Sequence, residues 1–87
     1  MIRVLIAEDF LPILKKCKNN LNKDPQIEVV AAVTSGREAV QKAIELKPDV
    51  ALLDIEMETL HAGLDATKKI LTQLPNTKII IFTVYDD

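Results

Sequence analysis

The sequence predicts an α/β domain, a doubly wound parallel sheet with helices on both faces. Three features predict it: four short apolar runs rich in strand formers, helix-period segments between them, and turn signals at the junctions. Strands alternating with helices make right-handed βαβ units. Strands this apolar suit a sheet buried on both sides.

Ile2–Ala7 (IRVLIA) is the first strand. Residues 10–21 follow as a helix, with Phe10, Leu14, Cys17 and Leu21 at helical spacing and Pro12 tolerated in the first turn. NKDP at 22–25 breaks it. Ile27–Val33 (IEVVAAV) is the second strand. Ser35 and Glu38 have capping-box spacing, and the helix they open carries Val40, Ala43, Ile44 and Lys47 on one side, stopping before Pro48. Residues 50–53 form the third strand and 55–62 a loop. Leu64, Thr67, Ile70, Leu71 and Leu74 then repeat at helical spacing up to Pro75, and Lys78–Phe82 (KIIIF) is the fourth strand. The order is β-α-β-α-β-α-β.

Eighty-seven residues make one small domain, 1–87, with 48% hydrophobic and 28% charged residues. No apolar stretch approaches the roughly 20 residues of a membrane span, and the start lacks the features of a signal peptide. A cytoplasmic protein is expected. The single Cys17 excludes an intrachain disulfide and a cysteine metal cluster; it reads as a small apolar residue on a helix face. The net charge of −2 argues against a nucleic-acid surface on this domain. Lys15, Lys16 and Lys18 read as the wet side of the first helix.

The acids carry the functional signal. In a parallel sheet the carboxyl ends of all strands share one edge, where open α/β sheets bind ligands. Glu8 and Asp9 follow the first strand, Asp54, Glu56 and Glu58 the third, and Asp86 and Asp87 the fourth. If the first and third strands are neighbours, Asp9 and Asp54 face one another. Two bare carboxylates about 4 Å apart repel by roughly 4 kcal/mol at an effective dielectric near 20. Such a cluster binds a cation, shares a proton or spreads apart, and a few oxygen ligands suit Mg²⁺. Helix caps and loop charges account for Asp86, Asp87 and Glu58. They account poorly for Asp54, which closes a buried strand.

The stretches IRVLIAED, IEVVAAVTSGREAV, PDVALLDIEM, GLDATKKI and TKIIIFTVYDD together resemble the receiver domain of bacterial two-component response regulators, closest to the group with a LuxR-type helix-turn-helix output domain. The resemblance spans the whole chain. It implies a flavodoxin-like fold with the first strand between the second and third. It implies that Asp54 accepts a phosphoryl group from a sensor histidine kinase, and that Asp9 and Asp54 bind Mg²⁺ directly. Glu8 would act on the metal through a water, and Glu56 through its backbone carbonyl. Thr83 would contact the phosphoryl group as a switch, and the side chains of Glu56 and Tyr85 would tune dephosphorylation. The implied role is a regulatory phosphoacceptor that takes part in its own phosphoryl transfer, not an enzyme. DNA would be reached only through an output domain outside this chain.

The sequence departs from the family in two places. The chain stops at Asp87, before the family's fourth helix, fifth strand and fifth helix, and so before its phosphate-binding lysine. The fourth strand is then expected at an open edge, inviting self-association. In the loop after Asp54, Glu58 stands where members commonly have proline, and Gly63 arrives one residue late; His61 there reads as solvated. An alternative is therefore a degenerate or truncated receiver that acts only as an interaction or dimerisation module. A phosphatase with an aspartyl-phosphate intermediate would want Asp-x-Asp where the chain has Glu8-Asp9-Phe10. Flavodoxin-like cofactor binding would want a Ser/Thr/Gly loop where it has EDFLP.

Overall fold

A computed structural model of the chain describes residues 1–83. It contains β1 (Ile2–Ala7), α1 (Leu11–Asn22), β2 (Ile27–Val33), α2 (Gly36–Leu46), β3 (Val50–Asp54), α3 (Ala62–Gln73) and β4 (Lys78–Phe82). The order of elements agrees with the sequence reading, and each strand bound falls within one residue of it. All pairings are parallel, in the order β2-β1-β3-β4. β1 and β3 are neighbours, which places the ends of the first and third strands side by side.

The sheet divides two apolar layers. Beneath α2 and α3 lie Leu5, Ala7, Val33, Ala51 and Leu53, packed against Ala39, Ala43, Ala66 and Ile70. Beneath α1, Val4 and Ile6 pack against Leu14, with Cys17 and Leu21 at the margin. Lys15, Lys16 and Lys18 are exposed, as expected.

The helix faces differ from the periodicity reading. On α2 the buried residues are Gly36, Ala39 and Ala43, whereas Ile44 is exposed. Lys47 lies outside the helix, as a left-handed C-cap with φ 49°. On α3 the buried stripe is Ala62, Gly63, Ala66 and Ile70, while Leu64 and Leu71 point out, as does Phe10 before α1. The cause is distance: α2 and α3 pack on each other as well as on the sheet, and only small side chains allow that approach. Hydropathy alone weights leucine over alanine and so rotates the predicted faces.

The start of α2 also departs from a reciprocal capping box. Ser35 Oγ accepts from the Glu38 amide at 3.1 Å. The Glu38 carboxylate, however, takes hydroxyl bonds from Thr34 and Ser35 rather than reaching back to an amide. At the other end, Arg3 Nη1 donates to the carbonyls of Leu46 and Lys47, tying the close of α2 to β1.

α1 covers β1 and β2 only. On that face of β3 and β4, Val50 and Leu52 are half-buried and Ile80 is 51% exposed. β4 is an edge strand of the described sheet.

Candidate functional site

Register brings the acids together. Ala7 pairs with Leu53, so the next residues along, Glu8 and Asp54, leave the sheet side by side. The Glu8 amide still donates to Val33 O at 3.0 Å, holding this last step of β1 in the sheet. Asp54 is the last residue of β3 and pairs with Phe82 of β4. Carboxylate oxygens of Glu8, Asp9 and Asp54 all lie within 4.8 Å of one another. Glu8 is 1% exposed and Asp54 6%, whereas Asp9 faces solvent at the mouth.

Glu8 is fixed but incompletely satisfied. Its Oε1 accepts from the Phe10 amide at 3.0 Å. Its buried Oε2 has no hydrogen-bond partner, since the neighbouring Asp54 carboxylate is also an acceptor. A proton between the two, or a cation, resolves this. Burial pushes the Glu8 carboxyl up to about 7, helped by Asp54, with which it can share a proton and whose charge repels it, and by the charge of Asp9, against the lowering effect of the Phe10 amide.

The β3–α3 loop is anchored at its base by backbone. The Ile55 amide donates to Phe82 O at 3.1 Å, and the Gly63 amide to Ile55 O at 2.7 Å. Glu56 is exposed in this loop, and its carboxylate is not among the three grouped acids. Glu58 turns away from the pocket to α2, where its two oxygens accept from the amides of Gly36 at 2.7 Å and Arg37 at 2.9 Å. Burial acts to raise its pKa, but these amides outweigh it and hold the carboxyl below its ordinary value of 4.5. His61 is exposed, at the N-cap of α3 without a side-chain capping bond. Thr83 follows Phe82 at the same sheet edge and is exposed. Tyr85, Asp86 and Asp87 lie outside the described residues.

Three carboxylates around one point form a hard-oxygen cluster of the kind that takes a divalent cation. Its donor set and the unpartnered Glu8 Oε2 fit such an ion. The family profile of the response regulator receiver domain matches residues 4–87.

This chain belongs to that family.

It is the receiver domain of a two-component response regulator. The receiver domain is 42% identical over 86 residues to the oxygen regulatory protein NreC of Staphylococcus aureus (strain JH9), covering 99% of this chain and 40% of NreC. NreC of Staphylococcus haemolyticus matches to the same extent. The chain thus spans about two fifths of the length of these relatives. Among solved structures, the response regulator domain of Thermotoga maritima CheB superposes with a TM-score of 0.83 at 41% identity, over 95% of this chain and 60% of that one. A LuxR-family regulator from Aurantimonas sp. SI85-9A1 shares the fold, with a TM-score of 0.89 at 23% identity over 99% of this chain and 61% of that one.

Two contacts of this receiver domain were not legible in its sequence: the Phe10 amide on Glu8, and the reach of Glu58 to α2. The first is a local turn with no side-chain signature. The second depends on how the β3–α3 loop meets the start of α2, although helix caps and loop charges were the reading for Glu58.

Proposed function

We propose that Asp54 accepts a phosphoryl group from a sensor histidine kinase, with Mg²⁺ bound by Asp9, Asp54 and the Glu56 carbonyl, and by Glu8 through a water. The observation that carries this is the convergence of Glu8, Asp9 and Asp54 within 4.8 Å at the carboxyl edge, with Glu8 Oε2 buried and unpartnered. Mg²⁺, when bound, supplies positive charge to the transferring phosphoryl oxygens.

This chain's own residues do the rest. β3 pairing holds the Asp54 backbone at the sheet edge, so the carboxylate is already in the pocket when the donor arrives. An Asp54 oxygen bonds to phosphorus as the bond to the donor's leaving group breaks. Transfer through a loose transition state needs positioning and charge neutralisation more than a strong nucleophile. Exposed Asp9 at the mouth leaves the pocket open to the donor. Thr83, at the same edge, turns its hydroxyl to the new phosphoryl oxygens and reports the modified state. Glu56 and Tyr85 tune the lifetime of the phosphoaspartate.

The expected setting is the cytoplasm, with DNA contacted through an output domain outside this chain. No helix among the described residues is long and apolar enough to cross a membrane. A second reading is a contact-only module that self-associates through β4, an edge strand of the described sheet.

Incubation with Mg²⁺ and a small phosphodonor separates the two. Phosphoryl transfer predicts an acid-stable, base-labile mass gain that is absent from Asp54→Ala. No gain in the regulator restored to full length favours the contact-only module.

A further inference from the structure

We propose that Glu58 is a positioning residue. It ties the loop that follows the phosphoacceptor to the first turn of α2, and so holds the backbone around Glu56 in place. This rests on the reading of that loop as part of the metal site.

The first amides of a helix have no partner inside it. In α2, Ser35 Oγ takes the Glu38 amide, and the Ala39 amide bonds to Ser35 O at 3.0 Å. The amides of Gly36 and Arg37 are left over. Glu58 accepts both, one on each oxygen, from 22 and 21 residues away. A carboxylate in this position is also favoured by the helix dipole and by charge-assisted bonding. The contact is therefore a bridge between the β3–α3 loop and the start of α2 rather than a local cap.

The bridge has a short lever arm. Glu58 lies two residues beyond Glu56 and four beyond Asp54. The Met57 amide donates to Thr59 O at 3.1 Å, closing a tight turn around Glu58. Elsewhere in the loop Met57 packs on the core and the Ala62 amide donates to Thr59 O at 3.3 Å, but Glu56, Thr59, Leu60 and His61 are exposed. The far end of the bridge is rigid, because α2 meets α3 there. A Cβ on Gly36 would come within 2.9 Å of Ala62 O, so that approach depends on glycine. A loop with few buried contacts opens easily unless a bond of this kind restrains it.

Amide hydrogen exchange and Mg²⁺ titration on the 87-residue chain, wild type, Glu58→Ala and Glu58→Gln, test the proposal. In Glu58→Ala the amides of Gly36, Arg37 and Met57 should all exchange about tenfold faster or more. The Mg²⁺ dissociation constant should rise about tenfold, as for loss of a residue that orients metal ligands. Amides of β1 and of Ile70 should keep their protection, showing an intact fold. Glu58→Gln keeps one acceptor oxygen and should recover part of each effect. Faster exchange at Gly36 and Arg37 with an unchanged Met57 amide overturns the proposal and leaves Glu58 as a helix cap alone. If the wild-type chain takes up no Mg²⁺, the metal reading fails on its own account, and the Met57 amide decides the tether.

Discussion

Gly63 packs so closely on the end of β3 that a Cβ there would overlap the carbonyl oxygen of Asp54 and lie 2.8 Å from Ile55 Cα. The first turn of α3 is thus seated directly against the backbone of the proposed phosphoacceptor. The contact is sealed by the hydrogen bond from the Gly63 amide to Ile55 O. Because the obstructing atoms are backbone, neither side can yield by rotating a side chain.

Gly63→Ala is therefore expected to destabilise the fold by about 1–3 kcal/mol or more, the usual cost of overpacking a filled site. A drop in the urea midpoint at unchanged slope checks it. An unchanged midpoint would show that α3 can slide away from β3 freely.

Glu8 gives the domain a pH dependence of defined sign. Its carboxyl titrates near 7 in the fold against an ordinary value of 4.5, so the fold holds a proton that the unfolded chain releases. This contribution is complete below the unfolded value and is lost as pH rises through about 7. Without Mg²⁺, the urea midpoint should fall between about pH 5 and about pH 8, and Glu8→Gln should flatten that slope. Mg²⁺ should raise the midpoint more at the upper end of this range, because it replaces a proton.

Asp54→Asn removes one of the clustered charges while keeping shape. Without metal, at a pH above the Glu8 titration, it should stabilise the fold by roughly 1 kcal/mol or more, the scale of repulsion between close carboxylates. Thermal melts of the two proteins without divalent ions measure this. A less stable variant would mean that Asp54 is held by favourable bonds rather than kept in spite of repulsion.

β4 is an edge strand of the described sheet, and its Ile80 is 51% exposed. Ile80→Lys puts a charge on that strand, the device by which natural edges resist pairing. Sedimentation should show the wild-type chain associating with rising concentration and the variant associating less. Equal behaviour of the two would remove β4 from the contact.

Much of this was legible in the residues. The four strands announced themselves because apolar β-branched runs bounded by Pro, Asp and Asn fit little else. The acids could be sorted to one edge because parallel strands have only one carboxyl end each. Helix rotation was less legible: Ile44, Leu64 and Leu71 outweigh Ala39, Ala62 and Ala66 in any hydropathy count, yet close α2–α3 packing selects the small side chains. Glu58 was illegible in its particulars, because its partners are the first amides of α2, 22 and 21 residues earlier, which only the folded sheet brings near.

The most direct test of the central claim is a calorimetric Mg²⁺ titration of the wild-type chain beside Asp9→Ala and Asp54→Ala. The arrangement of Glu8, Asp9 and Asp54 predicts a single ion per wild-type chain and a large loss of affinity in each variant. Wild-type affinity retained in both variants would contradict it.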